Sequence, residues 1–157
     1  MQKSFSTPYT KLIAGIVCFC LVTACSAPDV GRLFEQYMWK NRVVLVFTPQ
    51  FENANYKAQL QEVLAHLTAL KERDVVVWTL ENNSRVSVNQ EHKPQLPTRP
   101  FYKHFKVDPD QFSLVLLGKD GTEKLRKNSV LSMKELFSTI DSMPMRQREI
   151  QDRKKRK

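Results

Sequence analysis

Basic and acidic side chains lie close together around a predicted hairpin, and they form the clearest candidate for a binding site in the sequence. Lys119, Asp120, Lys124 and Arg126 all belong to this hairpin. Ammonium and guanidinium groups bind carboxylate and phosphate oxygens, and arginine does so with two parallel donors. The pattern therefore predicts either an anion pocket or an internal network of ion pairs that holds the hairpin to the last helix.

Two charged residues farther along the chain extend this group. Asp141 and Arg146 lie at the end of the last predicted helix, close enough in sequence to reach the same region. The candidate polar cluster, with a binding or a structural role, comprises Lys119, Asp120, Arg126, Asp141 and Arg146.

The remaining polar side chains predict no catalytic site and no metal site. His66, His92 and His104 are far apart, and none has a second ligand at a spacing typical of metal sites. The run Gly118–Gly121 has too few glycines for a phosphate loop, and no helix begins after it. We therefore expect neither a cofactor nor a metal.

The amino-terminal segment predicts export. Residues 1–11 contain two lysines and no acid, and residues 12–24 form an uncharged, largely apolar run. This run is too short to cross a bilayer, which requires about 20 apolar residues. A basic start, a short apolar run and a small residue at its end are typical of a secretory signal peptide, which we assign to residues 1–24.

The end of this segment adds a membrane anchor to the prediction. Val22-Thr23-Ala24-Cys25 resembles the lipobox of bacterial lipoproteins, in which the cysteine is acylated and becomes the mature amino terminus. The resemblance implies a lipidated terminus and tether over residues 25–31, and a membrane as partner. Ser26, where an aspartate would favour retention at the inner membrane, favours the outer membrane. The alternative is an ordinary signal cut near Ala24 or Ala27, which gives a secreted or periplasmic soluble protein.

Removal of the signal peptide would leave one of the three cysteines in the mature chain. Cys18 and Cys20 leave with the signal, and Cys25 is the predicted site of lipidation. The mature chain then holds no free thiol, which excludes cysteine nucleophiles and thiolate metal sites.

The rest of the sequence alternates between strand and helix patterns. Val43–Phe47 and Val75–Leu80 are continuous apolar runs, as expected of strands buried on both faces. Between them, apolar residues at helical spacing predict one helix over residues 54–72. Strand, helix and strand in this order predict a βαβ unit with parallel strands.

The second half predicts a helix, a hairpin and a last helix. Residues 81–97 are polar and predict an irregular stretch. The later elements are a helix over 98–106, strands over 112–117 and 122–127, and a helix from Ser132 that Pro144 ends. The charged second strand of the hairpin suits a sheet edge. This order predicts an α/β, thioredoxin-like domain over residues 32–145, in which helices flank a four-stranded mixed sheet.

The domain resembles a family of unknown biochemical function known as P-DUDES, found in small secreted bacterial proteins and in vertebrate sushi-repeat matrix proteins. The similarity covers roughly residues 39–149. It is carried by Trp39-Lys40-Asn41-Arg42, Glu72-Arg73-Asp74, Leu117-Gly118-Lys119-Asp120-Gly121, Lys124-Leu125-Arg126 and Ile140-Asp141-Ser142-Met143-Pro144-Met145-Arg146. The resemblance implies a thioredoxin-like fold related to the peroxiredoxins.

The sequence departs from redox-active thioredoxins at their reactive loop. Their CxxC pair follows the first strand, where residues 48–53 here contain no sulfur. The proline that normally precedes the third strand is also missing, with Phe112-Ser113 near that place. We therefore predict that the protein is not a thiol–disulfide oxidoreductase.

The carboxyl terminus is strongly basic. Residues 146–157 contain seven basic and two acidic residues, in a chain of formal net charge +9. The composition predicts a solvated, disordered tail, or a segment that contacts an anionic surface such as phospholipid or another polyanion. Nucleic acid is not expected as a partner of an exported protein.

Two functional hypotheses follow. The first is a non-enzymatic binding or interaction module of the cell envelope. The second is an enzyme of thiol-independent chemistry that combines the loop after the first strand with the 118–126 hairpin. A buried polar pocket holding Glu52 or Asp120 would favour the enzyme, and an exposed apolar or basic patch would favour the binding module.

Overall fold

The two apolar runs become the central parallel strands of a mixed sheet in the computed structural model, which describes residues 28–156. The elements are α1 (Val30–Glu35), β1 (Arg42–Thr48), α2 (Ala54–Ala65), α3 (Leu67–Glu72), β2 (Val75–Glu81), β3 (Val86–Val88), β4 (Glu91–His92), α4 (Arg99–Phe105), β5 (Ser113–Leu117), β6 (Glu123–Lys127), α5 (Met133–Asp141) and α6 (Pro144–Lys155).

The sheet confirms the predicted α/β class and is larger than predicted. Its strand order is β4-β3-β2-β1-β5-β6, with β1 parallel to β2 and antiparallel to β5. The four predicted strands are β1, β2, β5 and β6, and β6 is an edge strand as expected. The expectation of a four-stranded sheet is wrong, because the sheet has six strands.

The two additional strands come from residues 81–97, which the sequence predicted to be irregular. β3 and β4 are three and two residues long, too short for an alternation of apolar and polar residues to be recognised. Val86 and Val88 of β3 pair with Leu80 and Trp78 of β2. Pairing with β2, rather than a local sequence pattern, therefore determines this part of the sheet.

The predicted helix over residues 54–72 is two helices. His66 lies between α2 and α3 with φ −124° and ψ 23°, outside the helical region. The apolar spacing continues across this break, so no local pattern indicates where α2 ends and α3 begins.

Helices cover both faces of the sheet. Side chains of β1 alternate between two apolar clusters, with Leu45 and Phe47 in one and Val44 and Val46 in the other. The first cluster packs against α1 and α4, and the second against α2, α3 and α5. Each such buried side chain contributes about 1.5–3 kcal/mol, which explains why the apolar residues 43–47 of β1 are all buried.

A buried tyrosine joins the carboxyl ends of the two parallel strands. The hydroxyl of Tyr102 in α4 lies 2.8 Å from the carbonyl oxygens of both Thr48 and Leu80. Burial raises the pKa of this hydroxyl, so it stays protonated as a donor. α4 is thereby fixed to the end of β1 and β2.

The basic segment after Pro144 is helical, so the expectation of a disordered tail is wrong for residues 146–155. Pro144 does not simply end α5, which stops at Asp141; it occupies the first turn of α6. Proline suits that position because a helix's first N–H groups have no acceptor within the helix. Ser132 caps α5 as predicted, accepting a hydrogen bond from the Glu135 N–H.

The described helices do not include a membrane-spanning one: within residues 28–156, none is long and apolar enough to cross a bilayer. The predicted signal peptide over 1–24 and the lipidation site Cys25 lie outside the described residues.

Candidate functional site

A network of ion pairs, which includes part of the candidate polar cluster, lies at the end of the sheet where β1 and β2 begin. Because β5 runs antiparallel to β1 and pairs Leu117 with Val43, the turn that follows β5 lies beside Arg42. Asp74 immediately precedes β2, and its carbonyl accepts a hydrogen bond from the Arg42 N–H. α6 packs against this end through ion pairs.

Glu149 of α6 is the centre of this network. Its carboxylate lies 2.8 Å from Lys119 Nζ, 3.1 Å from Arg42 Nη2 and 3.3 Å from Arg146 Nη1. Burial raises the pKa of Glu149, but hydrogen bonds from Lys119 and Arg42 outweigh this effect and lower it to about 2. Glu149 is therefore charged at every physiological pH.

Arg42 is the most deeply buried charge of the network, with 1% of its side chain exposed. Besides Glu149, its guanidinium donates to the Arg73 carbonyl oxygen at 2.9 Å. A buried guanidinium needs such partners, because removing one from a buried ion pair typically costs 3–5 kcal/mol.

A second carboxylate, Asp141 of α5, extends the network. Its oxygens lie 2.7 Å from Arg73 Nη2 and 3.1 Å from Arg146 Nε. Burial raises the pKa of Asp141, whereas hydrogen bonds from Arg73 and Arg146 lower it further than burial raises it. Arg146 also donates to the carbonyl oxygen of Glu72, so it connects α6 to both α5 and the end of α3.

Three of the five residues of the candidate polar cluster meet in this network, and two do not. Lys119, Asp141 and Arg146 belong to it, with Lys119 also pairing with Asp74 at 2.8 Å. Asp120 and Arg126 instead make local pairs along the hairpin, with Lys124 and Glu123 respectively.

The hairpin pairs are ordinary surface contacts. Burial raises the pKa of Asp120, but hydrogen bonds from Lys124 and Thr122 outweigh it and lower the value. Arg126 also donates to the Phe105 carbonyl oxygen at 2.9 Å, which ties β6 to the end of α4.

Sequence reasoning missed four members of the network: Arg42, Arg73, Asp74 and Glu149. The first three lie in segments that carry the family resemblance, and Arg42 opens an otherwise apolar run. A charge at the start of a strand buried on both faces was a usable signal, because such a charge requires a partner. Glu149 was assigned to the solvated tail and gave no signal of its own.

An apolar groove lies on the other side of the molecule, between α2 and the neighbouring strands β2 and β3, and one end of it reaches the carboxyl ends of β1 and β2. It has a volume of 210 Å³. The groove is lined by Phe51, Tyr56, Leu60, Val63, Leu64, Leu67, Val77, Thr79, Glu81, Arg85, Ser87, Asn89 and Gln90. The backbone N–H of Phe51 donates to Glu81 Oε1 at 2.9 Å, which fixes the loop after β1 at the rim.

The structure separates the loop after β1 from the turn of the 118–126 hairpin. The loop follows Thr48, whereas the turn lies beside Val43 at the other end of that strand. At about 3.3 Å per residue, β1 is roughly 20 Å long. β6 then runs back along the sheet and pairs Arg126 with Val115. Within residues 28–156, no group of three or more histidine, cysteine or acidic side chains is arranged to hold a metal ion.

The chain is similar to a known protein family and to parts of two longer vertebrate proteins. Residues 33–149 match the family described as Domain of unknown function (DUF4174). The chain is 27% identical to coiled-coil domain-containing protein 80 of Danio rerio over 146 residues, which cover 80% of this chain and 17% of that protein. It is 26% identical to sushi repeat-containing protein SRPX of Rattus norvegicus over 137 residues, which cover 81% of this chain and 30% of that protein. The chain thus spans less than a third of each relative, and the predicted resemblance to a domain of unknown function shared with vertebrate proteins is confirmed.

Proposed function

We propose that this chain, which belongs to the DUF4174 family, is a non-enzymatic binding module of the cell envelope that holds a partner protein in its apolar groove. One observation carries the proposal. Of the five large apolar side chains exposed among residues 28–156, three line this groove: Phe51, Leu64 and Leu67, at 45%, 43% and 47% exposure. Apolar surface gathered in this way typically marks an interaction site.

The size of the groove favours a protein partner over a small molecule. Pockets for cofactors and drug-sized ligands typically measure about 300–1,000 Å³. At 210 Å³ the groove is below that range, and it suits one or two apolar side chains of another protein. Glu81 and Arg85 in its wall provide one negative and one positive charge, which can make polar contacts with a partner around such side chains.

Charged substitutions on α2 and α3 test the proposal. The protein is extracted from membranes with each variant in place, and co-purified proteins are identified by mass spectrometry. We expect Leu64→Asp and Leu67→Asp to lose a partner that the unsubstituted chain retains. Ala65→Asp is the matched control, since it adds the same charge to an exposed position of α2 outside the groove lining. Retention of every partner by both groove variants would contradict the proposal.

The envelope location rests on the lipobox-like sequence that ends in Cys25. Two acyl chains on one protein hold it firmly to a bilayer, at about 0.8 kcal/mol per buried methylene. We expect intact-mass analysis to find a chain that begins at Cys25 with added acyl mass. Cys25→Ala should release the protein or leave the precursor uncut. An unmodified terminus near residue 27 would refute the anchor and leave a soluble exported protein.

The carboxyl end of α6 supports a second contact with an anionic membrane. Arg153, Lys154, Lys155 and Arg156 are all exposed. A basic residue near an anionic membrane contributes about 1 kcal/mol, an effect that fades within a Debye length of about 8 Å. We propose that these residues strengthen attachment of a domain that the lipid already holds at the surface.

A further inference from the structure

A broad cavity of 1150 Å³ lies between the beginning of α1 and the exposed side of α4. Its wall includes Pro28 and Asp29, which precede α1, and three basic residues of α4 and its end, Arg99, Lys103 and Lys106. We call this wall the α4 surface. It lies on the side of the sheet that α1 and α4 cover, whereas α2, α3 and the apolar groove lie on the other side.

The α4 surface carries positive charge that no carboxylate balances. Arg99, Lys103 and Lys106 are exposed, and none of them forms an ion pair within residues 28–156. Asp29 is the single acid of the wall, and its carboxylate accepts a hydrogen bond from the first turn of α1. The acids of the loop after α4 are not part of the wall, and residues 92–107 contain four basic residues and no acid. This surface therefore attracts anions.

The chain enters the domain at the same surface. Pro28 is part of the wall, and Cys25, the proposed site of lipidation, is three residues before it. Three residues span at most about 11 Å even when the chain is fully extended. Phe34 fixes α1 against α4, because its ring lies 6.2 Å from that of Phe101 and 5.6 Å from that of Phe105. An acylated Cys25 would therefore hold the α4 surface close to the lipid headgroups.

We propose that the α4 surface docks on the anionic phospholipid bilayer that holds Cys25. This inference rests on the proposed lipid anchor and adds to it the side of the domain that faces the membrane. The attraction of a basic residue to an anionic membrane fades within a Debye length of about 8 Å, and the short tether keeps Arg99, Lys103 and Lys106 near this range. The other side of the sheet, with the apolar groove, then faces the aqueous phase and stays accessible to a partner protein.

Acetylation of lysines locates the docked side directly. The lipidated protein is purified from membranes, its intact mass is measured, and it is reconstituted into vesicles of phosphatidylglycerol and phosphatidylcholine or of phosphatidylcholine alone. We expect Lys103 and Lys106 to react at least about threefold more slowly on the anionic vesicles. Lys57 and Lys71, which are exposed on α2 and α3 across the sheet, should react equally on both. Inorganic phosphate added to the phosphatidylcholine vesicles should not protect Lys103 or Lys106.

Paired substitutions test whether these charges drive the docking. In an unlipidated chain that begins at Ser26, Arg99→Gln together with Lys103→Gln should lower the affinity for anionic vesicles at least about fivefold, the effect of one basic residue near such a surface. Lys57→Gln together with Lys71→Gln is the matched control, since Lys71 and Lys103 both lie in the last turn of a helix. This control should lose less than about twofold, because its charges face away from the bilayer. The basic end of α6 is present in every chain, so its contribution cancels.

The outcomes separate the docking from the anchor. An acylated protein whose Lys103 and Lys106 react equally fast on both kinds of vesicle would overturn the docking alone. Equal protection of Lys57 and Lys71, or an equal loss of affinity in the two pairs of variants, would show attraction without a preferred side and overturn it too. Protection by inorganic phosphate would show a site for free anions instead of a bilayer. A protein without acyl mass would refute the anchor and, with it, this orientation.

Discussion

Replacing Glu149 by glutamine tests whether α6 is part of the folded domain. The substitution keeps the size of the side chain and removes the charge that faces Arg42, Lys119 and Arg146. Because Arg42 is almost completely buried, water cannot easily replace the lost carboxylate. We expect Glu149→Gln to destabilise the protein clearly.

The size of the effect follows from the pKa of the carboxyl group. A pKa lowered from 4.5 to about 2 corresponds to about 3 kcal/mol, at 1.36 kcal/mol for each tenfold change. The side chain is 21% exposed, and solvent screening reduces this figure to about 2 kcal/mol. For a domain of this size the melting temperature should fall by roughly 8 °C.

The same carboxyl group makes stability depend on pH. Its pKa is lower in the folded than in the unfolded chain, so the unfolded chain binds more protons between the two values. The contribution of Glu149 is therefore complete above about pH 4.5 and is lost as the pH falls toward about 2. The Glu149→Gln variant lacks this contribution at every pH. The free energies of unfolding of the variant and of the unsubstituted chain should therefore converge at low pH.

Urea denaturation at pH 7 and at pH 3 measures both effects, provided that the slope m stays constant. Asp152→Asn is the matched control, since Asp152 is an exposed acid of α6 with no ion pair in the described part of the chain. If Glu149→Gln changes the free energy of unfolding at pH 7 by no more than Asp152→Asn does, the ion pairs do not hold α6 to the domain.

Three further outcomes are expected. Deleting residues 150–157 should leave the melting temperature almost unchanged, because residues 151–156 are exposed. Binding to anionic vesicles, measured with an unlipidated chain that begins at Ser26, should fall and lose its salt dependence on the same deletion; equal binding by the truncated and untruncated chains would show that the basic end has no membrane role. Tyr102→Phe should cost about 1–2 kcal/mol in urea denaturation, because the carbonyl oxygens of Thr48 and Leu80 lose a buried donor; an unchanged midpoint would show that water replaces the hydroxyl. Insulin-disulfide reduction by the purified protein should stay at background, and activity that survives Cys25→Ala would contradict the prediction of a chain without redox thiol chemistry.

The elements that the sequence determined by itself are those with a local signal. Val43–Phe47 and Val75–Leu80 are almost entirely apolar. Such a run is shielded from water on both of its faces only in a sheet that is covered on both sides. The tight turn at Gly118–Gly121 and the cap at Ser132 also depend on a few neighbouring residues, and both appear where the sequence placed them. Local chemistry was sufficient for these features because each depends on residues that are close together in the sequence.

Only the tertiary structure decided what lies at the two ends of the sheet. Arg42 and Glu149 are 107 residues apart in sequence, and no spacing rule relates them. They meet because the antiparallel pairing of β5 with β1 brings the hairpin beside Arg42, and the network then draws α6 onto the same end. The same register separated the loop after β1 from the turn of that hairpin, and it divided the candidate polar cluster into an interior network and surface pairs. β3 and β4 likewise depend on tertiary structure. Strands of three and two residues are not stable alone, and these two form because β3 pairs with β2 and β4 pairs with β3.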